Sequence, residues 1–285
     1  MLGFVNVYKP SGMTSSSVVV KIRKKFNIKK IGHMGTLDPM ACGVLPIAIG
    51  KATRMFDYFL DKVKTYRAVF QFGILTDTLD KEGEVIQTSS VIPQKEAVEK
   101  TIINFLGEID QIPPDFSAKS VGGVKAYKLA RMGQKVELKS KKVSILEYKL
   151  IKQLDEDKFE FEITCSSGTY IRSLARDLGI SLGTFAIMIA LERVESGVFN
   201  INNSYKLDDI LNITDLSQLL ISIDKVFPKI LVEEIKINDL EKLKNGVGVK
   251  TNLKNDIYLL KYNSQIIGVG EVKDGTLKIK TYLME

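Results

Sequence analysis

The chain has 285 residues, of which 45% are hydrophobic, enough for one large domain and a small second one with buried cores. Its formal net charge of +7 favours an acidic partner such as nucleic acid over a neutral metabolite. With two cysteines and one histidine, it lacks the roughly four ligands that a structural zinc ion needs.

The N-terminus and the thiols indicate where the protein works. The first residues lack the layout of a signal peptide, and no run of about 18 apolar residues is present to cross a bilayer. Two lone thiols, Cys42 and Cys165, are typical of a reducing compartment. We therefore expect a cytoplasmic protein that does not span a membrane.

Local patterns predict strands in long runs with interspersed helices. In chain order, the predicted elements are a strand over residues 2–8, a helix from the cap Thr14 through Phe26, a strand over 66–74, a helix over 93–105, a strand over 159–164 and a helix after Gly168. Strands and helices do not alternate regularly. This order favours an α+β fold over a doubly wound one.

The pattern of predicted elements changes at about Ile230. A helix is predicted there over residues 238–244, followed by strands over 257–262, 266–271 and 277–282. Asp274-Gly275 is a typical hairpin turn between the last two strands. The pattern predicts a small, mostly β domain of about 55 residues.

Two stretches are basic and nearly free of acids. No acidic residue precedes Asp38, but seven cations do: Lys9, Lys21, Arg23, Lys24, Lys25, Lys29 and Lys30. Residues 119–142 carry eight cations and one acid, Glu137. Such stretches are typical of phosphate contacts, although either one alone could be a solvated helical face.

Asp38 lies in a loop punctuated by glycine and proline, five residues after the single histidine, His33. Pro39 biases Asp38 toward an extended backbone, and the glycines allow tight conformations. An aspartate held this way can be a nucleophile or a general base, or it can simply cap backbone amides in a turn. Composition leaves these alternatives open.

Three other side chains are candidates with ordinary alternatives. Tyr66 begins a predicted strand, where it can pack in the core or offer a face to a nucleobase. Arg172 begins a predicted helix, where a cation is unfavourable for the dipole, so it either meets a specific anion or is a surface residue. His33 can be a structural hydrogen-bonding residue. Because no phosphate loop or dinucleotide fingerprint is present, any chemistry falls to side chains, without a metal or cofactor.

Several motifs together resemble one family, the TruB-type tRNA pseudouridine-55 synthases. They are YKPSGMTS (8–15), GHMGTLDP (32–39), KTYRA (64–68), GILTDTLD (73–80), QIPP (111–114) with FSA (116–118), and GTYIRSLARDLG (168–179). They follow one another in the family's order over about 200 residues. Each motif alone is weak, but the series is specific.

The resemblance implies an enzyme that converts one uridine in the T-loop of tRNA into its C-glycoside isomer without a cofactor. It implies that Asp38 is the essential aspartate, Tyr66 the base-stacking tyrosine and Arg172 a carboxylate-paired arginine. It also implies pocket residues at His33, Tyr170 and Leu191. The basic stretches predict phosphate contacts at Lys125, Lys128 and Arg131, and Lys9 is a further expected substrate contact. One hypothesis is that Arg172 keeps Asp38 ionised in a dry pocket.

The resemblance also implies the domain organisation. We expect a mixed, mainly antiparallel sheet with flanking helices in a catalytic domain over residues 1–229, with a thumb-like basic insertion at about 112–142. A small PUA-like RNA-binding domain is expected over residues 230–285. The expected partner is the T-arm of tRNA, and the expected state is a monomer.

Two alternatives compete with this interpretation. The first is a non-catalytic tRNA-binding protein in which Asp38 only shapes a loop. The second is another RNA-modifying enzyme such as a methyltransferase, against which the missing glycine-rich cofactor loop counts.

Overall fold

The computed structural model describes residues 1–59, 63–117, 120–121, 124–125, 132 and 138–284. The chain divides into two compact units. The first comprises Met1–Asp38, Leu45–Leu60 and Gly197–Glu285, and the second comprises Pro39–Val44 and Asp61–Ser196. Over the described residues, no helix has the length and apolar character needed to cross a bilayer.

The secondary structure is mixed. The strands are β1 (Gly3–Lys9), β2 (Ile31–His33), β3 (Cys42–Ile49), β4 (Lys64–Phe72), β5 (Ile74–Thr76), β6 (Val85–Thr88), β7 (Gly107–Gln111), β8 (Ser120–Val121), β9 (Val124–Lys125), β10 (Lys141–Asp155), β11 (Lys158–Cys165), β12 (Ala186–Ser196), β13 (Phe199–Asn200), β14 (Tyr205–Lys206), β15 (Leu231–Glu234), β16 (Val249–Lys250), β17 (Ile257–Tyr262), β18 (Gln265–Lys273) and β19 (Thr276–Tyr282). The α-helices are α1 (Ser15–Phe26), α2 (Lys95–Ile102), α3 (Ile171–Ser181), α4 (Leu207–Asn212), α5 (Ile223–Val226) and α6 (Ile237–Lys244).

In the first unit, α1 forms where the sequence predicts it. The Thr14 side chain accepts a hydrogen bond from the Ser17 amide at 3.0 Å, which satisfies an amide that the helix itself leaves open. Asn27 ends the helix in the left-handed conformation, and cations in the last turn complement the dipole. The buried face of the helix packs in one apolar cluster with residues of β1 and β3, including Val18, Ile22, Val5, Val7, Leu45 and Ile47.

In the second unit, a mainly antiparallel sheet forms. Its strand order is β12–β4–β11–β10–β7, and residues 42–43 of β3 pair in parallel with β12. In β11, Phe159, Phe161 and Ile163 are fully buried, whereas Glu160 and Glu162 lie on the opposite face. The predicted strand alternation and the α+β class are therefore confirmed.

Two predicted boundaries shift for local reasons. The strand predicted over 66–74 begins at Lys64 and ends at Phe72, because Gly73 has a φ of +83° that a regular strand does not accommodate. The helix predicted over 93–105 is an α-helix only from Lys95 to Ile102, followed by a 3-10 turn over Ile103–Phe105. Such tight turns are common at helix ends.

The C-terminal residues form a five-stranded sheet in the order β15–β17–β18–β19–β16. The three predicted strands are present, and Asp274 and Gly275 have positive φ angles of 49° and 69°, as a tight hairpin turn requires. The prediction of a mostly β C-terminal region is therefore confirmed. The boundary at residue 230 and the PUA-like assignment stay predictions.

Gly43 allows β3 to pack closely on β12. Its φ is +103°, and a Cβ atom there would lie 2.4 Å from the Arg193 carbonyl oxygen and 2.8 Å from the Arg193 amide nitrogen. Because both contacts are backbone atoms of a paired strand, a side-chain rotation cannot relieve them. Gly12 has a similar φ of +80°, but a Cβ there would meet nothing within 4 Å.

These two glycines give a matched test of the packing. We expect Gly43→Ala to lower the free energy of unfolding by about 3 kcal/mol or more, because backbone strain and a clash add. Gly12→Ala should cost only the conformational strain, about 1–2 kcal/mol. Urea unfolding followed by circular dichroism measures both. Equal losses would show that the contact with Arg193 is not what requires glycine at position 43.

Candidate active site

Asp38 lies in the loop between β2 and β3 and is partly exposed. The residues around it are anchored in the interior, since Leu37 is 4% exposed and Met40 is 5% exposed. The Met34 amide donates a hydrogen bond to the Pro46 carbonyl at 2.8 Å and fixes the start of the loop. The loop thus presents one polar side chain between buried apolar anchors.

Ser15 fixes the backbone immediately before Asp38. The Leu37 amide donates to Ser15 Oγ at 2.9 Å, and Ser15 Oγ donates to the Leu37 carbonyl at 3.1 Å. Ser15 is 2% exposed and stands in the first turn of α1, so the clamp is built on a rigid element. One hydroxyl therefore satisfies two backbone groups of a buried residue. Sequence analysis missed this role, although Ser15 lies within one of the quoted motifs.

His33 ends β2 and lines a surface pocket of about 350 Å³ with basic residues. Arg23, Lys29 and Lys30 line the same pocket, and Phe56 contributes an aromatic side chain that is 41% exposed. Arg23 Nη2 donates to the Ile31 carbonyl at 3.3 Å, which orients its guanidinium. The first basic stretch therefore forms a concave cationic surface, a shape suited to phosphates.

Tyr66 and Leu191 lie on one buried face of the second unit's sheet. Tyr66 is in β4 and is 7% exposed, and its register partners are Ile163 on β11 and Arg193 on β12. Leu191 is 7% exposed and pairs with Ala68, two residues after Tyr66. Because side chains two residues apart share a face, this arrangement places the two predicted contacts together.

Arg172 is buried, and this burial decides between the specific anionic partner and the surface position that the sequence left open. Its Nη1 lies 3.4 Å from Asp80 Oδ2, and both side chains are 7% exposed. The guanidinium also donates to the Thr78 carbonyl at 3.0 Å and to the Phe116 carbonyl at 3.1 Å. A surface arginine is therefore excluded, and pairing with a carboxylate is present.

Asp80 is the carboxylate that sequence analysis did not single out. Thr78 Oγ1 donates to Asp80 Oδ1 at 2.6 Å, and the Glu82 amide donates to the same oxygen at 3.1 Å. Its other oxygen, Oδ2, faces Arg172. The available signal was its place in the motif at 73–80, but a short polar loop gives no indication of burial.

Gln111 fixes the backbone at Tyr170, just before α3 begins. The Tyr170 amide donates to Gln111 Oε1 at 2.8 Å, and Gln111 Nε2 donates to the Tyr170 carbonyl at 3.1 Å. Gln111 is 1% exposed and ends β7. This two-point contact sets the first turn of α3, where Arg172 stands.

The predicted basic contacts have different outcomes. Lys9 is fully buried, and its Nζ donates to the Pro10 and Met13 carbonyls. The substrate contact expected at Lys9 stays a prediction. Lys125 lies in β9, opposite Ser120. Lys128 and Arg131 lie outside the described residues.

Two family models match the sequence of this chain. The TruB family pseudouridylate synthase N-terminal domain matches residues 23–171, and the tRNA pseudouridylate synthase B C-terminal domain matches residues 172–226. Together they cover Asp38, Tyr66, Tyr170, Arg172 and Leu191. Each of these is a position that the motif resemblance had singled out.

Relatives and solved structures agree with the models. A tRNA pseudouridine synthase B from Clostridium tetani is 42% identical over 98% of this chain and 99% of its own length. One from Clostridium novyi is 40% identical over the whole of both chains. A crystal structure of a Cbf5-Nop10-Gar1 complex has the same fold, with a TM-score of 0.74 and 23% identity over 99% of this chain and 85% of that one. The chain belongs to the TruB family of pseudouridylate synthases.

Proposed function

We propose that this protein isomerises uridine to pseudouridine at position 55 in the T-loop of tRNA. The observation that carries the proposal is similarity over the whole chain, at about 40% identity, to proteins named tRNA pseudouridine synthase B. The clamped loop that presents Asp38 supports a reactive role for this carboxylate. We further propose that the protein acts as a monomer in the cytoplasm.

The reaction needs no oxidant, reductant or second substrate. The bond between N1 and the sugar C1′ breaks, the base turns, and C5 bonds to C1′. The proton on C5 is lost and N1 gains one, so atoms and electrons balance. A carboxylate can attack an electron-poor centre or accept a proton, and Asp38 is the residue to which we assign this work.

Binding energy must come mainly from the RNA backbone. Extruding a uridine costs about a few kcal/mol, and stacking on Tyr66 returns about 1–3 kcal/mol, so these terms roughly cancel. Phosphate contacts supply the remainder. The cationic pocket at His33 supports this part of the proposal, and Lys125, Lys128 and Arg131 of the predicted thumb are further proposed contacts.

The direct test is pseudouridine mapping at single-nucleotide resolution after incubation with unmodified tRNA. Wild-type protein should convert uridine 55, and Asp38→Asn should lower turnover by at least about 10³-fold while still binding tRNA. Asp57→Asn, a change at an exposed carboxylate, is the control and should leave turnover intact. A protein that binds tRNA but forms no pseudouridine, with or without Asp38, would instead be the non-catalytic binder.

Arg172→Lys tests the guanidinium while keeping the charge. Lysine cannot reach Asp80 and two carbonyls together, so we expect turnover to fall about 10–100-fold at neutral pH, with a smaller change in tRNA affinity. Arg176→Lys is the matched control one turn later on α3, where the side chain pairs with its neighbour Asp177 at 2.8 Å. Single-turnover rates and filter binding separate the two effects. Wild-type turnover by Arg172→Lys would remove the fork geometry from the mechanism.

Ser15→Ala tests the clamp on the Asp38 loop. The change leaves the buried Leu37 amide and carbonyl without this partner, which should cost about 1–3 kcal/mol of unfolding free energy. We expect turnover to fall about tenfold, because the loop loosens, while tRNA affinity stays constant. Ser16→Ala, at the exposed neighbouring position, is the control. An intact rate in a destabilised Ser15→Ala protein would show that the clamp serves stability alone.

A further inference from the structure

Lys64 is a cation on the same sheet face as Tyr66. It is the first residue of β4, two positions before Tyr66, so both side chains point to one side of the sheet. Its register partners are Cys165 on β11 and Ser196 on β12, and both of these are buried. At this end of the sheet face, the Lys64 ammonium therefore lies on a strand whose paired residues, Cys165 and Ser196, are neutral.

In the part of the chain that the structure describes, no carboxylate pairs with Lys64. Its charged neighbour is another cation, Arg193, which is 1% exposed and donates from Nε to the Val44 carbonyl at 2.7 Å. Burial first, and then the guanidinium of Arg193, lower the pKa of Lys64 from 10.5 to about 8, although Cys165 opposes the shift slightly. At pH 7, Lys64 is therefore still protonated in most molecules.

A partly buried ammonium without a counter-charge is unfavourable for the folded protein by itself. Desolvation and like-charge repulsion both act against it, and an apolar side chain of similar length would avoid both costs. A cation in this situation is balanced when a partner brings an anion. Lys64 remains partly exposed, so an anion can reach it.

We propose that Lys64 binds a backbone phosphate of the RNA, next to the uridine that stacks on Tyr66. The inference rests on the proposed function, because it takes Tyr66 as the base contact. Two same-face residues of a strand lie about 6.6–6.8 Å apart, within the span of one nucleotide from base to phosphate. The phosphate would supply the negative charge that balances Lys64.

The test measures tRNA affinity as a function of pH and salt. Binding of an unmodified tRNA transcript is followed in the Asp38→Asn background, so that turnover does not interfere. With Lys64 present, affinity should fall by up to about tenfold between pH 7 and 9, because a free lysine of pKa about 8 loses its proton there. Burial holds the pKa of the neighbouring Cys165 thiol at about 11, so that group stays neutral across this range.

Two substitutions at Lys64 make the test specific. Lys64→Met should bind about tenfold more weakly at pH 7, lose its share of the pH dependence and reduce the salt slope by about one. Lys64→Arg should bind like the parent at pH 7 and keep that affinity at pH 9, since arginine stays charged. Arginine cannot act as a base at these pH values, so this rescue also separates phosphate binding from proton transfer. Lys152→Met, at an exposed lysine that pairs with Glu160, is the control.

A stability measurement distinguishes a binding charge from a structural one. The pKa of Lys64 is lower in the folded than in the unfolded protein, so its contribution to stability rises with pH between about 8 and 10.5. Lys64→Met should therefore be at least as stable as the parent at pH 7 and should lose this rise.

Unchanged affinity and salt slope in Lys64→Met, or no rescue by Lys64→Arg, would overturn the inference. If the parent protein forms pseudouridine in tRNA while Lys64→Met binds normally, only the role of Lys64 fails. If the parent protein forms none, the proposed function itself fails.

Discussion

The backbone immediately before Asp38 is held by the Ser15 hydroxyl group, which forms two hydrogen bonds with Leu37. Ser15 lies in the first turn of a capped helix, α1, whose apolar face packs in the core of the first unit. The Ser15 hydroxyl is therefore held on a rigid element. The carboxylate itself stays partly exposed while Leu37 and Met40 are buried. A reactive side chain needs this combination, since it must be held in one place and still be reached by substrate.

The second unit buries a charged side chain, that of Arg172. Among its contacts, Arg172 pairs with the Asp80 carboxylate and donates to the Thr78 and Phe116 carbonyls, and Asp80 accepts in turn from Thr78 and from a backbone amide. Each polar group in this cluster supports another. Removing one member leaves an uncompensated charge in the interior, and for this reason such clusters are sensitive to conservative changes.

Three cations, Lys9, Arg172 and Lys64, differ in burial and in the groups that surround them. Lys9 is fully buried, and its ammonium donates to the Pro10 and Met13 carbonyls. Arg172 has a carboxylate partner within the second unit. Lys64 has a cationic neighbour and remains partly exposed, a situation that favours an anion supplied by RNA. The charge, the burial and the partners must be considered together, since all three residues are simply basic in sequence.

The α+β class, the capped helix α1, the alternating strand β11 and the loop that carries Asp38 were all predictable from the sequence. These features depend on residues that are close together in the chain, where periodicity, caps and turn residues act directly. In contrast, the burial of Arg172 beside Asp80 and the hold of Ser15 on the Asp38 loop become evident only in the folded chain. Their partners are far away in sequence, 22 residues for Ser15 and Leu37 and 94 for Arg172 and Thr78, so chain folding brings them together and local pattern cannot show the contact.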